Sequence, residues 1–223
     1  MTPAAWPCPL PGGTVEEYAL AFDSRRLHRL LIVPALLDEA NRMRRLTVDV
    51  MRRLDNAGID SFLPDLPGTN ESLQPLDLQT PESWIAAMED AALHFAATHV
   101  LAIRGGALVA PAELPAWHYA PVKGAQILRQ QIRARIVSAR EAGVAETQDG
   151  LQQLALSRGI DLSGHRLGPE FVRQLQALVP RTGAQEIPQE TLGGGGLWLR
   201  AEPDEDRAQA DALAAILTIG IKA

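Results

Sequence analysis

Cysteine is almost absent from these 223 residues, and the lone Cys8 excludes an internal disulfide framework and any zinc or iron–sulfur centre built on several thiolates. Positive charge is also in deficit. The formal net charge of -6 and pI near 5.4 argue against a general nucleic-acid binder, although arginine greatly outnumbers lysine and can still form local anion sites. No apolar run is long enough to span a bilayer. Residues 1–13 lack a basic segment and are interrupted by Pro3, Pro7, Pro9 and Pro11, so neither a signal peptide nor a spanning helix is expected there. Cys8 is expected as a free thiol on a loop. Glycine and proline follow no repeat, which excludes collagen-like and long disordered chains. The expected setting is cytoplasmic.

What is present is a chain that is 46% hydrophobic and 22% charged, enough to bury one sizeable core, so a single domain over residues 1–223 is expected. Residues 14–22 (TVEEYALAF), 30–35 (LLIVPA), 59–64 (IDSFLP) and 100–103 (VLAI) read as strands, the second continuously apolar as in a strand covered on both faces. Between residues 39 and 58 the positions Met43, Leu46, Val50 and Leu54 form one helical stripe, with arginines elsewhere on the wheel. Thr80-Pro81-Glu82 starts the next helix with a cap, a first-turn proline and an acid. Strands alternating with helices predict an α/β fold: a mostly parallel central sheet with helices on both faces.

From about 124 to 180 the pattern is helical, with candidates at 125–142, 146–157 and 169–178 and no convincing strand. Such a segment suits a helical cap insertion over the carboxyl edge of the sheet. Residues 181–196 read as a polar, glycine-rich linker, 197–200 (LWLR) as a strand, and the apolar run 216–221 as a final return to the sheet.

After the strand at 59–64 comes Asp65-Leu66-Pro67-Gly68-Thr69-Asn70-Glu71-Ser72, which closely resembles the D-L-P-G-x-x-x-S turn of α/β-hydrolases. The strand at 100–103 runs into Arg104-Gly105-Gly106-Ala107-Leu108, where that family places its nucleophile elbow. Within the superfamily, Val33-Pro34, Glu39-Ala40-Asn41-Arg42-Met43-Arg44-Arg45, the Arg104 elbow, Pro121-Val122 with Gly124, and Leu128-Arg129-Gln130 resemble the hydrolase-like proteins associated with exosortase A systems. That resemblance implies a bacterial setting linked to exopolysaccharide and surface-protein export.

In an active hydrolase the elbow apex is a serine, and the triad continues in chain order with an acid and a histidine. Here the apex is Arg104, which stays protonated and is not a nucleophile. Asp204 stands where a vestigial triad acid belongs, but His28, His94, His99, His118 and His165 all precede it and no histidine follows. A serine-hydrolase triad is therefore not expected, nor is a metal site, since His94 and His99 are five residues apart; no cofactor is implied.

The leading expectation is a non-catalytic protein with a capped pocket formed by Arg104, Gly105, Gly106, Ala35 and His118, suited to an anionic small molecule through the guanidinium and the amino end of the elbow helix. Arg104 is otherwise neutralised by Asp38 or Glu39. Two other readings stand beside it. One is an interaction module with a filled pocket, whose Arg42, Arg44, Arg45, Arg52 and Arg53 meet an acidic protein partner; the other is a divergent active hydrolase.

Overall fold

The computed structural model describes residues 1–10 and 12–223, so Pro11 lies outside the described residues. In chain order the elements are β1 (Thr2–Leu10), β2 (Gly13–Phe22), β3 (Arg29–Val33), α1 (Asp38–Asn56), β4 (Asp60–Pro64), α2 (Pro81–His94), β5 (His99–Ile103) and β6 (Ala116–Tyr119). There follow α3 (Gly124–Glu141), α4 (Gln148–Arg158), β7 (Ile160–Leu162), β8 (His165–Leu167), α5 (Pro169–Ala177), β9 (Gln185–Ile187), α6 (Gln189–Leu192) and α7 (Arg207–Lys222).

Seven strands form the main sheet in the order β1-β2-β4-β3-β5-β6-β9. The β1–β2 and β2–β4 pairs are antiparallel and the rest are parallel. The expected fold class is the observed one. Alternation along the central strands divides the core in two. Leu31, Val33, Phe62, Val100 and Ala102 face α2 and the helices inserted after β6. Leu30, Ile32, Leu63, Leu101 and Ile103 face α1 and α7. The stripe Met43, Leu46, Val50 and Leu54 brings α1 onto that second face, as its spacing predicts. Thr80 caps α2 by accepting from the Ser83 amide, while Ser83 closes the box on the Thr80 amide.

Several expectations are corrected. Residues 2–10 are an edge strand rather than a loop, and Cys8 is buried within it. Pro3, Pro7 and Pro9 share one parity, so all three missing N–H groups can turn to the open edge while Trp6 and Cys8 turn inward. The segment 124–180 is not wholly helical: β7 and β8 form a hairpin through Ser163 and Gly164, with φ of 52° and 80°, the left-handed pair of a tight primed turn. Within the polar stretch 181–196, β9 extends the sheet beside β6. Leu197–Leu199 is a 3-10 turn and not a strand. The run 216–221 belongs to α7, whose buried Ala210, Leu213, Ala214, Leu217 and Ile221 repeat with helical and not strand period.

Candidate functional site

Strands β3, β5 and β6 end side by side, with Val33 level with Ala102 and Ile103 with Tyr119. Just beyond these ends three non-glycine residues take left-handed backbone: Leu37 at φ 57°, Arg104 at φ 54° and Ala120 at φ 45°. Such strain persists only where the surroundings over-determine it, and it gathers at sites that are or were functional. Arg104 thus sits at a sharp reversal. Gly106 is required there by contact: a Cβ on it would lie 2.4 Å from the Pro34 carbonyl oxygen and 2.7 Å from that of Val33. At Gly105 a Cβ would meet Ile127 at 2.7 Å and Leu36 at 3.0 Å.

The chain leaves the reversal as a five-residue 3-10 turn, Arg104–Leu108, and not as the helix expected. The favourable helix dipole invoked for an anion is therefore missing. The guanidinium is also occupied. Arg104 Nε donates to Glu39 Oε2 at 3.0 Å and Nη2 to Glu39 Oε1 at 3.1 Å, a two-pronged pair, while Nη1 donates to the Ala120 carbonyl at 2.8 Å. Its Cζ lies 4.0 Å from the centroid of the Trp198 ring. Only 9% of Arg104 remains exposed, so three donors and one face are satisfied in a nearly dry setting.

Of the two acids considered as partners, Glu39 is the one. Asp38 serves a second tie: it pairs with Arg42 at 2.8 Å and accepts from Gln131 Nε2 on α3. Gln131 Oε1 accepts from Ser163 Oγ at 2.8 Å, and Arg42 Nη1 donates to the Trp198 carbonyl at 3.0 Å. This chain of contacts joins the β7–β8 hairpin, α3, α1 and the Trp198 segment across the space above the strand ends. Arg104 lines none of five surface cavities of 130 to 640 Å3.

The other expected site residues do not converge on Arg104. Ala35 is buried in the core beneath α1. His118 alternates with Trp117 and Tyr119, which face the α1 side, and so turns to the opposite face of β6 from Trp198. Burial, with the nearby Arg181 charge adding to it, pushes the His118 imidazole down to about 4, and its Nε2 has no hydrogen-bond partner. Asp204 lies in the surface segment before α7 and pairs with Arg200 at 3.8 Å. No group of three or more potential metal ligands occurs among the described residues.

The arginines of α1 are committed as well: Arg42 to Asp38, Arg44 to Asp65, Arg45 to Glu205, Arg52 to Asp49 and Arg53 to Asp211. An acidic partner would have to compete with five internal acids. Two residues of the site carry no signal in the sequence: Trp198, in a segment whose pattern predicts a strand, and Gln131, which nothing in the helical pattern sets apart.

No protein-family model and no curated protein matches the chain in sequence. Solved structures do match in fold. Alpha/beta hydrolase domain-containing protein 10 from mouse is 11% identical, with all of this chain and 99% of that one covered and a TM-score of 0.54. A carboxylesterase structure from the thaumarchaeon Nitrososphaera gargenis is 11% identical over 82% of this chain and 78% of that one, with a TM-score of 0.50. The chain spans 54 to 60% of the length of three others. Among these is proline iminopeptidase from Mycobacterium smegmatis, 16% identical over 68% of this chain and 59% of that one, TM-score 0.42. The strand order, the reversal after β5 and the likeness to the mouse protein over the whole chain together give the chain an α/β-hydrolase fold.

Proposed function

We propose that this α/β-hydrolase-fold protein is non-hydrolytic and acts as a binding module, its former catalytic centre having become a packed joint. The observation that carries this reading is Arg104: it holds the backbone twist of a nucleophile elbow, yet its side chain is clamped by Glu39 and covered by Trp198. A guanidinium cannot open an acyl-enzyme path, and no histidine follows Asp204, where the family's chain order places its base. Anion binding at Arg104 is the weaker reading, because a ligand would have to displace Glu39, whose carboxylate already balances the charge. The motifs shared with exosortase A-associated hydrolase-like proteins support a bacterial role beside exopolysaccharide and surface-protein export.

The test is turnover of p-nitrophenyl acetate and butyrate by the purified protein. Rates equal to buffer are expected; hydrolysis abolished by changing one serine or histidine would overturn the reading and favour a divergent enzyme.

A further inference from the structure

Four carboxylates are buried among the described residues, and three of them meet arginine. Asp60 pairs with Arg26 and Arg29, Asp65 with Arg44, and Glu39 with Arg104. Glu17 is the exception. It is 4% exposed, and among the described residues no arginine, lysine or histidine forms an ion pair with it. Its Oε1 accepts from Ser72 Oγ at 2.7 Å and Gln74 Nε2 at 2.8 Å, while Oε2 accepts nothing and is not among the sealed polar atoms. Burying a carboxylate without a countercharge costs several kcal/mol unless something else meets it.

Glu17 lies where the β1–β2 hairpin outruns the sheet. Strand β2 pairs with β4 only through residues 19–22, and the loop after β4 folds against the remainder. Between them is a cavity of about 520 Å3, within the range of binding pockets. Pro3, Ala4, Val15 and Leu73 are among its apolar lining residues and Glu17 and Glu71 among its acidic ones, with no basic residue lining it; Glu16 also borders it but alternates to the face of β2 opposite Glu17. Arg44, which reaches the base of the same loop, is spent on Asp65. Leu73, on that loop and in the cavity lining, is 99% exposed and so offers apolar surface at the cavity's edge.

We propose that this cavity receives a lysine or arginine side chain of a partner polypeptide, its charged end meeting Glu17 and its stem the apolar walls, with the partner's adjoining apolar residues on Leu73. A stem of methylenes ending in a cation matches a pocket whose lining combines apolar residues with unpaired acids. The exposed Leu73 offers apolar contact that a small amine does not use, and the net charge of -6 favours approach of a basic partner. The choice of a polypeptide rests on the non-hydrolytic reading; the site does not involve the elbow, so each fails by its own measurement.

The experiment is titration of the whole protein with the acetylated, amidated tripeptide leucine-lysine-leucine, followed by proton–nitrogen NMR. Saturable shifts are expected at the amides of Val15, Glu17 and Gln74. Replacing the peptide's lysine by norleucine, or Glu17→Gln in the protein, should weaken binding about tenfold or more. Glu17→Gln keeps the acceptor for Ser72 and should leave the melting temperature unchanged or raised. The proposal is overturned by equal binding of the norleucine peptide, by indifference to Glu17→Gln, by absence of saturable shifts at millimolar peptide, or by hexylammonium binding as tightly as the peptide. A fall in melting temperature for Glu17→Gln would overturn it too, since the carboxylate would then be internally paired.

Discussion

Removing the Arg104 guanidinium leaves the Glu39 carboxylate buried with no cation, and takes the partner from the Ala120 carbonyl and the Trp198 ring. Arg104→Ala should therefore cost about 3 kcal/mol or more in urea unfolding. Replacing both charges by apolar side chains of similar length, Arg104→Met with Glu39→Met, should recover most of that loss, because neither member is then stranded. Glycine at the same position relieves the left-handed backbone, so Arg104→Gly should be less damaging than the alanine variant by about 1 kcal/mol. If Arg104→Ala left stability unchanged, the clamp would not be a packed joint. His118 makes a second prediction through its depressed protonation. The unfolded state takes up its proton near the ordinary histidine value and the folded state only near 4, so stability is full above that ordinary value and declines as pH falls toward 4. The decline attributable to this one residue is about 3 kcal/mol, and His118→Leu should flatten the acid limb of a stability–pH curve by about that much. An unchanged limb would refute it. His99 and His165, lowered chiefly by burial, account for part of the remaining slope.

Strand β1 was hidden by its prolines, which read as breakers when taken one at a time. Their common parity, with Trp6 and Cys8 between, was the legible signal of an edge strand. Its consequence is chemical: burial, the nearby Glu17 and Asp90 charges adding to it, pushes the Cys8 thiol up to about 12, so thiolate is scarce at neutral pH. Native protein should react with a disulfide reagent far more slowly than protein unfolded in guanidinium, and rapid native labelling would place the thiol at the surface. Strands β2 to β5 and the three helices between β6 and β9 were readable because an apolar run, an apolar alternation or a 3.6-residue stripe is set by local burial, whereas the four-residue β6 was not set out as a strand. Strand β9 was not, since three residues with only Ile187 turned inward carry no periodicity. Nor was the Trp198 contact, which joins residues far apart in sequence and depends on how the segment before α7 folds back. The sharp reversal after β5 was placed by the resemblance to α/β-hydrolases, and Arg104 at φ 54° with Gly106 packed on the Pro34 carbonyl agrees with it.

Across the molecule, the inserted segment shares one core with the sheet: Leu151, Leu167, Phe171 and Val172 belong to the same apolar cluster as Val33, Phe62 and Ala102. Its polar ties through Gln131 and Ser163 end on α1. Far-ultraviolet and near-ultraviolet circular dichroism should therefore report one coincident urea transition, whereas an early loss of helix signal would show the insertion melting by itself. All four tryptophans are buried, and they stand at four stations: Trp6 in the edge hairpin, Trp84 on α2, Trp117 on β6 and Trp198 over Arg104. Two have their indole N–H fixed, Trp84 on the Pro67 carbonyl at 2.9 Å and Trp117 on Gln185 at 2.8 Å. The molecule thus carries its own set of optical probes. Single-tryptophan versions, with phenylalanine at the other three stations, would let the emission colour of one indole follow the opening of the edge, the helical layer, the sheet or the elbow cover without any added dye.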